Sequence, residues 1–401
     1  PNNSIFTSWS GAVVAITSPF VGKALRLTAE AQSFEDLAIP GINSEIATVF
    51  VAMASLPSLN SSQTALINLL SSSSSVAQFN DTLNKFVPNI NLVSETVQLQ
   101  NHIFSRAEAR LAALQYGTAR PTGFVAGDLA PDTALWLGGF GNEAKQRDRV
   151  NTPGYNARAT GFLLGVDSKW CKENVIGFAM GSSNAKIDEH SNENYYTTIT
   201  GYHALFYGTN HVENNKFVDW LFTGAINRNR STRIASSGTT NLSGYANYRV
   251  LQSGAKFNFG KKYDFEDLLT FSWLGSIQYA FIHQPSYAET GSIAALNVTP
   301  TRNTNIMTVG TGVRMGFPTG YWRYLGSREL RAMVTYDAIS TQQVTTVSFV
   351  AGSSDFTIAN KPTRLAVKIG ADFALDITRN LELVFNYDFE WRTRFTDHAG
   401  M

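Results

Sequence analysis

LELVFNYDFEWRTRF, residues 381–395, carries one alternation along its whole length. Leu381, Leu383, Phe385, Tyr387, Phe389, Trp391 and Phe395 share one parity, while Glu382, Asn386, Asp388, Glu390, Arg392 and Arg394 share the other. Side chains of a strand point to opposite faces in turn, so one face here is apolar and aromatic and the other densely charged. A soluble sheet strand runs about 5 to 6 residues, whereas a tilted membrane-crossing strand needs roughly 9 to 11. The alternation in 381–395 outlasts the first length and fits the second.

Two more stretches repeat the pattern. In residues 364–376 the apolar set Leu365, Val367, Ile369, Ala371, Phe373 and Leu375 opposes Arg364, Lys368, Asp372 and Asp376. In residues 269–281 Leu269, Phe271, Trp273, Ile277, Tyr279 and Phe281 oppose Thr270, Ser272, Ser276 and Gln278. Long strands with one lipid-compatible and one wet face are the pattern of a transmembrane β-barrel. Its lipid face would carry Trp273, Tyr279, Phe373, Phe385, Tyr387, Phe389 and Trp391. Its pore would be lined by Arg364, Lys368, Asp372, Asp376, Glu382, Asp388, Glu390 and Arg392.

Composition agrees with that architecture. The formal net charge of +1 and the single cysteine, Cys171, argue against a nucleic-acid partner and a disulfide framework. Charged residues are only 16%, against 12% aromatic residues and 31 glycines, which suits strands and tight turns better than a helical enzyme. No window reaches the roughly 18 apolar residues of a membrane helix, so membrane insertion would require a closed barrel. Pro1 begins without a signal peptide and reads as an internal point of a longer exported protein.

Along the chain, residues 1 to about 115 read as helical. Ser18-Pro19 is a helix start, Asn43 or Ser44 can cap the run to Leu56, and Ser75 with Gln78 forms a capping box. The clearest helix spans 94–115, where Gln98, Asn101, Ser105 and Glu108 form a polar stripe beside Val97, Phe104, Ala107, Leu111 and Leu114. Lodged in a pore, such a helix of roughly 10 to 12 Å would fill a medium barrel. From there the pattern is strands only: 133–146, 157–170, 174–188, 194–209, 217–230, 244–259, 268–283, 304–317, 329–341, 361–376 and 381–395. The connections 169–174 and 377–380 are tight, while 284–303 and 342–360 are long and polar, as outer-membrane barrels require on their two sides. Eleven strands have the wrong parity for closure, so a twelfth is expected from sequence beyond Met401, with 396–400 as a turn.

The strand motifs carry a family resemblance. Leu135-Trp136-Leu137-Gly138-Gly139-Phe140-Gly141 opens the barrel, Gly161 and Gly165-Val166-Asp167 follow on the second strand, and Tyr387, Phe389-Glu390-Trp391-Arg392 close it. With the preceding helix, residues 95–401 resemble the translocator domain of autotransporters of type Va secretion. That resemblance implies a twelve-stranded antiparallel barrel with a helix through its pore, located in the bacterial outer membrane. It implies a role in anchoring and exporting the protein's own N-terminal passenger, with barrel-assembly machinery and periplasmic chaperones as partners. It also implies a division into a helical passenger-to-barrel junction (1–93), a pore helix with linker (94–131) and the translocator barrel (132–401). Residues 1–90 resemble the junction of large surface antigens from intracellular bacteria. Two family features are missing: a terminal aromatic residue, and an Asn-Asn pair within the pore helix.

A porin or a barrel hydrolase with a helical extension is the alternative. A hydrolase needs serine, histidine and an orienting group within hydrogen-bond reach. His283 and Ser276 fall on opposite faces, His203 sits in an aromatic strand, and Asp397-His398 reads as an exposed outer turn. No metal-spaced cluster or phosphate loop is present, so neither catalytic residues nor a cofactor is expected. Cys171 reads as a tolerated surface thiol. Gly161, Gly165, Gly201, Gly275 and Gly370 read chiefly as curvature sites, some of them as room for the helix.

Overall fold

Alternating side chains, long strands and tight turns close into a barrel, as a computed structural model of the chain shows. It describes residues 34–115, 133–149, 153–170, 174–190, 194–265, 269–317, 325–378 and 381–400, with short backbone stretches between 6 and 32. The linker part 116–131 and Cys171 lie outside the described residues.

Twelve strands form the wall: β1 (Thr133–Gln146), β2 (Tyr155–Trp170), β3 (Asn174–Glu189), β4 (Asn194–Val212), β5 (Lys216–Ile234), β6 (Gly244–Phe265), β7 (Leu269–His283), β8 (Asn303–Phe317), β9 (Leu325–Ser340), β10 (Leu365–Thr378), β11 (Leu381–Arg392) and β12 (Phe395–Gly400). Each pairs antiparallel with its neighbours in sequence, and β12 pairs with β1 to close the ring. Closure satisfies the backbone groups that hydrocarbon cannot hydrogen-bond, each otherwise costing several kcal/mol.

The twelfth strand therefore belongs to this chain, which corrects the expectation of one supplied from beyond Met401. The alternation in 381–395 hides a break. The strand ends at Arg392, Thr393 and Arg394 turn with Arg394 at φ 64°, and Phe395 begins β12 opposite Arg392. The turn resets the facing, so Phe395 is buried inside the barrel rather than set against lipid. Asp397 is likewise buried rather than exposed in a turn, while its neighbour His398 is exposed.

On the outer face Trp273, Tyr279, Phe385, Tyr387 and Trp391 are exposed and Phe373 and Phe389 half-buried. Leu137, at 73% exposure, and Met180 extend the same apolar surface. A monomer in water would not leave so continuous a patch uncovered, and lipid covers it.

The two ends differ in the length of their connections. One end carries 213–215 and other links of at most seven residues; the other carries 235–243, 284–302 and 341–364, along with the two-residue turn 393–394. The long connections are more structured than their polar composition implies. Tyr287–Ala288, Leu296–Pro300, Gln343–Phe349 and Phe356–Asn360 make a four-stranded sheet above the barrel.

Helices α1 (Phe34–Leu37), α2 (Ile42–Ala54), α3 (Ser61–Ser71) and α4 (Val76–Asn84) pack into one body with that sheet, and α5 (Leu92–Gln115) follows them into the barrel. Phe50 and Phe86 pack their rings 5.4 and 5.2 Å from that of Phe349, and Leu296, Val298, Val347, Phe356 and Ile358 complete one core with the helices. Arg233 and Glu289 form a fully buried ion pair below it, and Arg233 also donates to the carbonyls of Lys85 and Ala294, at 2.7 Å each. Residues 34–90 are thus a packed cap.

Helix starts differ from expectation in detail. Ser75 Oγ accepts from Gln78 N–H at 3.1 Å, but Gln78 Oε1 accepts from Ser74 instead of returning to Ser75. Asn43 is buried and donates to Asn80, while Ser44 Oγ accepts from Gly41 N–H at 3.2 Å. Upstream the helical expectation fails. Ala12–Thr17 and Phe20–Val21 are strands, in keeping with the β-branched run Val13, Val14, Ile16 and Thr17, and Ser18-Pro19 between them is outside the described residues.

Phe385→Arg should impair insertion, because an arginine on the lipid face costs about 2 to 4 kcal/mol near the bilayer midplane. Folding yield in lipid vesicles, read by heat-modifiable gel mobility, should fall below wild type.

Candidate functional site

α5 runs through the lumen, and its two faces meet two different walls. Leu99, Ile103, Phe104, Ala107 and Leu111 are completely buried against Ala144, Ala157, Ala159, Leu163, Ala179, Ile187, Ile199 and Leu205. Small residues on β1 to β3 let the helix approach closely, and this side is dry. Gly254 of β6 serves the same end: a Cβ there would stand 2.1 Å from Gln100 Nε2 of α5. Gln100 Oε1 in turn accepts from Gln252 at 2.9 Å.

The polar stripe faces the opposite wall. Gln98 donates to Glu390 at 3.3 Å, and Asn101 accepts from Gln278 at 2.7 Å. Ser105 donates to Asp388. Glu108 pairs with Lys256 at 2.5 Å and accepts from Asn258 at 2.6 Å. Beside this face lies a cavity of about 90 Å³ lined by Gln98, Asn101, Ser105, Glu108, Lys256 and Arg331, with a second of about 50 Å³ nearer the loops. Both are reached by polar side chains of α5 and the wall and have room for several waters.

Behind the stripe the lumen charges form a connected ladder. Arg331 binds Asp372 at 2.6 Å and also Asp388; Lys368 pairs with Glu390 at 3.1 Å; Arg392 bridges Glu390 at 2.6 Å and Asp337 at 2.7 Å. Arg314 pairs with Glu329 at 3.0 Å. Each charge is held by an opposite one, the condition under which buried ions are tolerable.

Arg364 stands apart from this ladder, exposed in the loop before β10, where its carbonyl accepts from Asp337 N–H. Asp376 and Glu382 are cross-strand partners in backbone register, and their side chains lie outside what the structure describes.

α5 is held near its C-terminal end and at its middle. At the inner end Arg110 makes a bidentate pair with Asp167 at 2.9 and 3.0 Å, and Asp167 also accepts from Tyr207, which accepts from Trp136 at 2.6 Å. Trp136 fills the space over Gly165, where a Cβ would stand 2.4 Å from its ring. Trp136, Gly165 and Asp167 thus act together, and Phe140 lies over Gly161 in the same way. These glycines make room for rings of the adjacent strand rather than for curvature alone. Nearer the cap His102 pairs with Asp397 of β12 at 3.1 Å, and Asn142 donates to the same carboxylate at 2.9 Å.

The sequence reading missed Arg110, His102, Lys256, Arg331 and Asp397. For Lys256 a signal existed, since Gln252, Gly254, Lys256 and Asn258 alternate with the apolar Leu251, Phe257 and Phe259. It also missed Ser183, whose Oγ lies 2.7 Å from His203 Nε2 in the lumen wall. Among the described residues no carboxylate bonds that imidazole, and none form a metal-binding group of three acidic, His or Cys residues.

The model of the autotransporter beta-domain family matches residues 135–388. The chain belongs to that family. Curated relatives are Outer membrane protein B of Rickettsia japonica, 22% identical over 386 residues, and of Rickettsia rickettsii, 22% identical over 389 residues. Each alignment covers 90% of this chain and 23% of the relative, so the chain spans about a quarter of their length. Among solved structures the translocator domain of the autotransporter NalP from Neisseria meningitidis shares the fold, with TM-score 0.56 at 12% identity over 78% of this chain and 97% of that one. This autotransporter barrel is an outer-membrane translocator domain, and a porin reading is not favoured.

Gly254→Val should drive Gln100 from its place and loosen α5. Planar-bilayer recordings should then show more frequent openings than wild type, with unchanged heat-modifiable mobility.

Proposed function

We propose that the domain anchors its protein in the outer membrane and passes polypeptide N-terminal to the barrel through its lumen to the cell surface, with α5 the last segment to enter and the one that stays. The observation that carries this is the course of α5, which enters from the end with the long loops and the cap and leaves by the end with the tight turns. A chain so threaded has its N-terminal side outside the cell. In this reading the domain boundaries fall near residues 93 and 131, with 1–93 as the junction.

The lumen charges Lys368, Asp372, Asp388, Glu390 and Arg392 keep the passage wet during transit and afterwards bind the polar stripe of α5. Asp376 and Glu382 continue the same wall, and Arg364 serves at its rim. The cap then folds onto the loops, and its core opposes return of the chain. A catalytic role is no part of this account; the domain works as a transport unit. Barrel-assembly machinery and periplasmic chaperones would deliver it to the membrane.

Protease shaving of intact cells separates this reading from a porin with a helical extension. Epitopes upstream of Ser94 should be lost without permeabilising the outer membrane; protection until permeabilisation would contradict export. Removing residues 94–115 should raise single-channel conductance several-fold, because a helix of roughly 10 to 12 Å leaves the lumen.

A further inference from the structure

Among the described residues, the loop-side charges on the outward face of the barrel gather on one side. Near the loop end, β1, β2 and β3 carry Lys145, Arg158 and Lys186, and β5 and β6 carry Arg228, Arg230 and Arg249, all exposed. Lys145 and Arg158 share Glu143, at 3.2 and 3.5 Å, and Lys186 has Asp188 at 2.6 Å. The three arginines have no acidic partner among the described residues. Arg228 and Arg249 are direct cross-strand neighbours, and Arg230 lies two positions along the same face. Like charges directly opposite each other destabilise a sheet, and a bound anion would relieve that repulsion. On β7 to β11 the matching outward positions carry Tyr279, Tyr336, Leu365 and Trp391.

Immediately below the arginines the surface turns apolar. Ile226, Phe222, Tyr202 and Leu251 are exposed there, and the guanidinium of Arg228 lies 5.8 Å over the Tyr202 ring. An occupant touching both zones has an acyl portion and an anionic head at the loop-side interface.

We propose that Arg228, Arg230 and Arg249 form a binding site for the phosphorylated headgroup of a lipid in the outer leaflet. The guanidinium fork matches phosphate oxygens two at a time, and the apolar strip below takes the acyl chains. A free phosphate would meet the arginines but leave the strip unused.

The test uses the full chain in phosphatidylcholine vesicles containing a small fraction of diphosphoryl lipid A, with retention of that lipid measured after extraction. Arg228→Gln/Arg230→Gln/Arg249→Gln should retain it about 100-fold more weakly, since each basic side chain at an anionic interface contributes roughly a fivefold preference. Arg249→Gln alone should lose about fivefold, which keeps the test available if the triple variant folds poorly. Retention should weaken with salt and be absent for the dephosphorylated lipid. A control with Lys169, Lys216 and Lys261 changed to Gln, at the opposite end of the strands, should behave as wild type. Equal retention by wild type and the arginine variants, equal loss in the control, or displacement by inorganic phosphate at the same phosphate concentration would overturn the proposal.

Discussion

Hydrocarbon offers a backbone amide nothing to bond, so a sheet that crosses it has to close on itself. Twelve strands close here through the short β12, held between β11 and β1. That number fixes the interior. Eight strands enclose a space their own side chains fill and sixteen leave an open channel, and twelve leave a lumen about one helix wide. α5 is the element that occupies it.

The lumen treats the two faces of α5 differently. One wall is made of alanines and aliphatic residues and excludes water; the other is a ladder of paired charges with cavities beside it. This division reconciles transit with retention. A wholly apolar lumen would trap an unfolded chain, and a wholly polar one would bind no helix in particular. Above the lumen, the buried pair of Arg233 and Glu289 joins the barrel rim to the cap, so helix, loops and cap form one packed assembly.

Much of this was legible in the sequence because long strands with period-two alternation leave little room for other folds. The outward-facing aromatics and most strand limits follow from that alternation, and the 24-residue α5 from its polar stripe. The twelfth strand was not legible. Phe395 keeps the parity of Trp391 across a two-residue turn, so the alternation continues while the strand reverses. The cap was hidden for another reason: Phe349 and Phe356 sit in stretches rich in Ser, Thr and Gln, and their partners Phe50 and Phe86 lie far away in sequence. Arg110 and Asp167 meet by the same long-range closure. No local pattern marks Arg110, and Asp167 stood out only as the end of Gly165-Val166-Asp167, with nothing to name its partner.

α5 rests in the lumen with Gln98 and Ser105 of its polar stripe on β11. Cysteines replacing Ser105 and Asp388, with Cys171 changed to Ser, test this placement in the outer membrane of intact cells under mild oxidation. Cysteines replacing Lys368 and Glu390, lumen-facing register partners on β10 and β11, serve as the reference pair. Both pairs are predicted to cross-link, since each places its two side chains in direct contact at the lumen wall. Cross-linking of the reference pair without that of the Ser105 and Asp388 pair would contradict the placement.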